Sequence, residues 1–219
     1  MIRLRAFENG LTVVRTRVKI CGVTTNTAAN AASAAGADAL GFVFYPPSPR
    51  AITATKAASI TSMVPPFVQR VALFVDEQRS VIEKTLSQCP LDMIQLHGSE
   101  SRSFCESLGL PYIKAVGFKT RDELMRVSDA HPNAAALLID AWAPSEHGGT
   151  GKTFDWSLIG DLGRPWLLAG GLTSDNVGEA IAIAAPYAVD VSSGVETDRG
   201  KKDLEKIGSF LKAVSACNA

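Results

Sequence analysis

Short apolar stretches rich in β-branched residues recur along this chain, and stretches with helical spacing, Ala-rich or charged, separate them. Such runs read as strands, and apolar positions three and four apart read as helix faces. The pattern predicts strands over residues 18–21, 39–44, 70–75, 93–96, 112–116, 136–140, 166–169 and 188–191. Helices are predicted over 27–35, 54–63, 79–88, 100–108, 121–130, 155–160, 174–184 and 201–215. Strands that alternate with helices pair in parallel through right-handed crossovers, and their two buried faces explain why they read as continuous apolar runs. Eight such units in roughly 200 residues favour one α/β domain closed as a (β/α)8 TIM barrel over an open doubly wound sheet.

Local signals agree with these boundaries. Thr173, Ser174 and Asp175 offer N-cap oxygens before the helix at 174, and Gly36 and Gly109 offer helix stops. Residues 1–17 show neither period. They read as an N-terminal extension, either foreign to the fold or the product of a start placed too far upstream, with the barrel domain over 18–219.

Composition narrows the function. The 219 residues are 46% hydrophobic and 20% charged, as in a folded protein with a sizeable core. Lys plus Arg and Asp plus Glu both number 22, so no basic field for nucleic acid exists and any anionic ligand must be held locally. No uninterrupted apolar stretch is long enough to span a bilayer and the N-terminus lacks a signal-peptide core, so a cytoplasmic protein without membrane contact is expected. Cys21, Cys89, Cys105 and Cys217 lack the paired spacing of a zinc site, which predicts free thiols and no metal. A monomer is the expected state, with a homodimer as the alternative.

In a barrel of this kind, functional groups sit at the C-terminal ends of strands. Cys21 ends the first strand and Asp140 the sixth, which places them across the mouth from each other. Cys21 reads either as a small buried hydrophobe or as a reactive thiol, and Asp140 either as a loop cap or as a functional carboxyl. Lys19, two residues before Cys21 and so on the same face, would lower the thiol pKa and attract Asp140. Arg50, in Tyr45-Pro46-Pro47-Ser48-Pro49-Arg50, would fork onto a carboxylate or lie solvated, and His97 would bind ligand or nearby backbone.

Gly148-Gly149-Thr150-Gly151-Lys152-Thr153 superficially suggests a phosphate loop, but Glu146 stands where that pattern needs its first glycine. A lid over the substrate, or a merely flexible loop, fits better. Gly170-Gly171 after the seventh strand and Ser192-Ser193-Gly194 after the eighth fall where barrels bind phosphate. Neither segment contains Lys or Arg, so binding there would rest on backbone amides and hydroxyls, with ordinary turn glycines as the alternative.

These segments, in this order, make the chain after residue 17 resemble the phosphoribosylanthranilate isomerase family. The likeness lies in Val18-Lys19-Ile20-Cys21-Gly22, Gly41-Phe42-Val43-Phe44 with Ser48-Pro49-Arg50, Gln95-Leu96-His97-Gly98 and Leu138-Ile139-Asp140-Ala141. It continues through Gly148-Gly149-Thr150-Gly151, Ala169-Gly170-Gly171-Leu172 and Asp190-Val191-Ser192-Ser193-Gly194-Val195-Glu196 with Gly200-Lys201-Lys202-Asp203. The resemblance implies an Amadori rearrangement of N-(5′-phosphoribosyl)anthranilate in tryptophan biosynthesis, with Asp140 as general acid, Cys21 as general base and no cofactor. It also implies that Arg50 meets the anthranilate carboxylate and that the Gly and Ser segments hold the 5′-phosphate. Two rivals are weighed: the histidine-pathway isomerase, which resembles this chain but uses two aspartates, and a phosphate-binding barrel without turnover.

Overall fold

A computed structural model describes residues 4–7, 10–13, 15–141 and 154–218. Among the described residues, twelve strands and seven α-helices follow one another. Strands β3 (Arg17–Cys21), β4 (Ala39–Val43), β5 (Gln69–Phe74), β6 (Met93–Leu96), β7 (Tyr112–Phe118), β8 (Ala136–Ala141), β9 (Trp166–Leu168) and β10 (Ala188–Val191) close into one parallel ring. β10 pairs with β3 to complete it, with Asp190 opposite Lys19. This is the expected (β/α)8 barrel.

Alternation along each strand divides the core into two layers. Outward residues such as Ile20, Leu40, Phe42, Phe74, Ile94, Leu137 and Val189 pack against the helices, whereas Val71, Ile113, Ala115, Leu138, Leu167 and Ala188 fill the inside of the ring. Both faces are therefore buried, which is why the strands read as unbroken apolar runs.

The helices are α1 (Asn26–Ala34), α2 (Ala54–Thr61), α3 (Arg79–Gln88), α4 (Arg102–Glu106), α5 (Arg121–Ala130), α6 (Val177–Ala184) and α7 (Leu204–Cys217). Side-chain oxygens of Thr25, Thr53, Ser101, Thr120 and Asp203 accept N–H groups at the starts of α1, α2, α4, α5 and α7. Each such cap contributes about 1 kcal/mol to its helix. Gly36 (φ +98°) and Gly109 (φ +76°) carry the left-handed turns expected of helix stops.

Four expectations are corrected. The helix expected over 155–160 is a single 3-10 turn, Trp156–Leu158. The helix expected from 201 starts at Leu204, because Lys201–Lys202 form β12, which pairs with β11 (Glu196–Asp198). The residues proposed to cap the helix at 174 do not: α6 starts at Val177, and Asn176 turns its amide back, accepting from Thr173 N–H at 2.8 Å and donating to Gly171 O at 2.9 Å. Within the segment expected to lack periodicity, Leu4–Phe7 (β1) and Gly10–Val13 (β2) form an antiparallel hairpin outside the ring.

Next to that hairpin the chain is tied to its far end. Thr16 N–H donates to Asn218 Oδ1 at 2.8 Å, and Asn218 Nδ2 donates to Thr16 O at 3.2 Å. Among the described residues no helix is long and apolar enough to cross a membrane.

Candidate active site

At the C-terminal ends of the strands, a mouth cavity of about 60 Å³ is bordered by Cys21, Ser48, Arg50, Gln95, His97, Asp140, Asp190 and Ser192, among others. Larger hollows of about 820 and 480 Å³ open at the opposite end of the barrel, around Arg17, Pro165 and Tyr187. Size alone does not mark the site; convergent titratable groups do. Among the described residues no cluster of His, Cys, Asp and Glu could hold a metal ion.

Asp140 is buried in the ring of strands, and burial, helped by the nearby negative charge of Asp190, raises its pKa to about 6. A carboxyl so placed keeps its proton far longer than an ordinary one and suits a general acid. His97 Nε2 lies 3.9 Å from Asp140 Oδ2, and Gln95 Nε2 lies 3.2 Å from His97 Nδ1. With that amide donating to Nδ1, the imidazole proton sits on Nε2, toward Asp140.

Cys21 departs from expectation. Burial lifts its thiol above the ordinary value and Asp190 lifts it further, whereas Lys19 and Lys202 only partly offset them. Lys19 does lie beneath Cys21; its ammonium donates to Asp190 Oδ1 at 2.8 Å, and its charge also favours the ionised Asp140, though less than burial opposes it. Burial would depress this lysine; Asp190, with help from Cys21, more than compensates and holds it up at about 12. The site thus sets a thiol with a raised pKa above a buried Lys19–Asp190 pair whose lysine also touches that thiol.

Glycines make room for each of these groups. A Cβ on Gly41 would sit 2.9 Å from Cys21 Sγ and 3.0 Å from Lys19 Nζ, and one on Gly170 would sit 2.6 Å from Asp140 Oδ1. Gly170 also has φ +87°, a conformation that favours glycine.

Arg50 is buried, not solvated, and it binds Glu196 with Nε to Oε1 and Nη2 to Oε2, both at 2.8 Å. Lys202 enters the same cluster, donating to Glu196 Oε1 at 2.7 Å, Ser192 O at 2.9 Å and Ser192 Oγ at 3.2 Å. Burial depresses the Lys202 ammonium despite Glu196. Burial resists ionisation of Glu196 too, but Arg50 and Lys202 together keep its pKa low. Although the serine segment contains no Lys or Arg, Lys202 reaches it from the neighbouring strand.

The two expected phosphate segments come together. A side chain at Gly194 would collide with Leu172 O, so the loop after β9 meets the loop after β10 at Leu172 and Gly194. Ser192 Oγ donates to Cys21 O at 3.1 Å, which links these loops to the thiol's strand.

The position of His97 also has an identifiable cause. Lys114 Nζ donates to Leu96 O, Gly98 O and Glu100 Oε2, and Glu100 accepts from Gly98 N–H and Asp76 N–H. This buried pair clamps the turn on either side of His97. The segment 148–153, with its suggested lid, lies outside the described residues.

Known proteins resemble this chain over most of its length. The model of the N-(5′-phosphoribosyl)anthranilate isomerase family matches residues 18–213. The chain belongs to this family. An N-(5′-phosphoribosyl)anthranilate isomerase of Acidithiobacillus ferrooxidans is 52% identical over 198 residues, covering 90% of this chain and 97% of that one. The crystal structure of phosphoribosyl anthranilate isomerase from Thermotoga maritima superposes with a TM-score of 0.84 at 42% identity, over 92% of this chain and 99% of that one. Another structure of such an isomerase, in complex with reduced 1-(o-carboxyphenylamino)-1-deoxyribulose 5-phosphate, gives 0.81 at 39% identity, over 92% and 99%. Membership of the phosphoribosylanthranilate isomerase family makes the protein an isomerase of tryptophan biosynthesis.

Proposed function

We propose that the protein converts N-(5′-phosphoribosyl)anthranilate to 1-(2-carboxyphenylamino)-1-deoxyribulose 5-phosphate by general acid and base catalysis in one mouth. The observation that carries this reading is a carboxyl with its pKa raised to about 6, Asp140, facing a buried thiol, Cys21, across a cavity that both border.

Asp140 gives its proton to the furanose ring oxygen while the anilino nitrogen pushes out the C1′–O bond, leaving a protonated Schiff base. Cys21 as thiolate takes the C2′ proton, and that electron pair neutralises the iminium to an enolamine. The enolamine then gains a proton at C1′ as the 2′-hydroxyl becomes the ketone. Electrons move only within the substrate, so no cofactor is required. Each well-placed acid or base contributes about 10²–10⁴-fold.

In this reading Arg50 takes the anthranilate carboxylate, and Gly170, Gly171, Ser192, Ser193 and Gly194 take the 5′-phosphate with backbone amides and hydroxyls. His97 steadies the Asp140 carboxyl or the ligand. Every one of these groups comes from one chain, so a cytoplasmic monomer suffices for the chemistry, and sedimentation at micromolar concentration tests that state.

The test generates the substrate in situ from anthranilate and phosphoribosyl pyrophosphate and follows the decay of its fluorescence without added metal. Wild type should accelerate the decay, and folded Cys21→Ser and Asp140→Asn should lose most of it. Turnover of the histidine-pathway ribotide instead would overturn the substrate, and turnover of neither would favour a binding protein.

A further inference from the structure

The donors and acceptors of the Arg50 cluster can be tallied one by one. Glu196 accepts from Arg50 Nε, Arg50 Nη2, Lys202 Nζ and, at 3.2 Å on Oε2, Gly200 N–H. A carboxylate offers about four acceptor sites, so Glu196 is saturated and fixed in orientation. Lys202 has three N–H donors and three partners, Ser192 O, Ser192 Oγ and Glu196 Oε1, so nothing is left over for a ligand.

Arg50 is different. A guanidinium carries five N–H donors, and Glu196 takes the side-on edge formed by Nε and Nη2. The end-on edge, formed by Nη1 and the second Nη2 hydrogen, has no partner among the described residues. Two buried cations face one buried anion here, so the cluster carries one excess positive charge. Three of the five donors thus remain, two of them on this end-on edge, and the excess charge lies on a residue that borders the mouth. That edge has the spacing of a carboxylate.

We propose that Glu196 is a positioning residue which, fixed by Lys202 and the Gly200 N–H, occupies the side-on edge of Arg50 and presents the end-on edge as the bidentate site for the substrate's aryl carboxylate. The inference rests on the reading that Arg50 meets this carboxylate. Gly22 supports the pose: a Cβ there would sit 2.5 Å from Arg50 Cδ, so the arginine shaft lies directly on its backbone. Lys202 acts one step further out, by holding Glu196 to the loop of Ser192.

Two stable probes test it, the reductive-amination products of ribose 5-phosphate with anthranilate and with aniline, which differ only in the carboxylate. Calorimetry gives both dissociation constants for wild type, Arg50→Met, Glu196→Gln and Lys202→Met, with circular dichroism to check folding. Wild type should prefer the anthranilate probe on the order of 100-fold, as expected of a bidentate charged pair. Arg50→Met should abolish the preference. Glu196→Gln should cut it to less than about tenfold while the aniline probe binds within about threefold of wild type, and Lys202→Met should shift the ratio the same way by less.

Loss of affinity for both probes alike in Glu196→Gln would mean a merely structural role and would overturn the inference. A wild-type ratio in Glu196→Gln, with the ratio lost in Arg50→Met, would overturn it and leave the Arg50 reading standing. A wild-type ratio in Arg50→Met would sink both. Should Glu196→Gln not fold, Lys202→Met decides: an unchanged ratio there counts against the inference, a reduced one for it.

Discussion

Lys19 Nζ donates to Asp190 Oδ1 at 2.8 Å across the seam where the barrel closes, with both side chains almost fully buried. Breaking such a pair from one side strands the other charge and costs about 3–5 kcal/mol, whereas replacing both members by apolar residues is far milder. Lys19→Met should therefore lower stability to urea by that amount, and Lys19→Met with Asp190→Val should recover most of it. Neither variant should recover full turnover, because Lys19 is one of the two cations that pull the Cys21 thiol down.

The pH profile should carry an unusual signature. Asp140, at about 6, loses its proton before the raised thiol of Cys21 does, so the productive form, acid protonated and thiol ionised, is a minor tautomer of the dominant singly protonated site. Its fraction rises up to about pH 6 and then stays constant and small until the thiol titrates. We expect kcat/KM to climb to a plateau near pH 6 and hold through pH 8. In Asp140→Asn the limb near 6 should vanish, and the residual rate should keep rising with pH toward the thiol value. A single wild-type limb near the ordinary thiol value would contradict this assignment.

The same carboxyl predicts a trade of stability for function. Its folded pKa is raised, so between about pH 4 and 6 the folded state binds more protons than the unfolded one, and stability falls as pH rises through that window. Above pH 6 the deficit is constant at on the order of 3 kcal/mol. Asp140→Asn should accordingly melt several degrees above wild type at pH 8, and the two should converge below about pH 4 in thermal scans.

Gly41 offers a sharper steric test. A methyl group there would press on Cys21 Sγ, Lys19 Nζ and Cys21 Cα at 2.9, 3.0 and 3.1 Å, with no left-handed φ at Gly41 to add to the effect. Gly41→Ala should cost about 1–3 kcal/mol by overpacking, yet lower kcat at least about tenfold through displacement of the thiol. Equal activity per folded molecule would show that Cys21 tolerates displacement.

How far the sequence reveals this site follows from the distances over which it is assembled. Strands are legible because burial on both faces leaves an unbroken apolar run, and Cys21 and Asp140 stand out as candidates because each is a titratable group closing such a run. The single turn at Trp156–Leu158 misled because one turn's apolar spacing matches that of a short helix. The part that Glu196 and Lys202 play beside Arg50 is not legible, because it comes from contacts across the chain: Arg50 and Glu196 stand 146 residues apart. A signal for part of this was present. Lys19, Lys114 and Asp190 are charges inside apolar strands, and a charge there demands a partner, though the sequence does not say which.

The reciprocal bonds between Thr16 and Asn218 leave the two ends of the ring within hydrogen-bonding reach of each other. Since the chemistry depends on which strand ends surround the mouth and not on the order in which they are synthesised, the barrel is a cycle that happens to be cut at one point. A circular permutant that joins 218 to 16 through a short linker and opens at the exposed turn of Gly109 would keep every contact of the mouth, while releasing the hairpin from its place ahead of the first barrel strand.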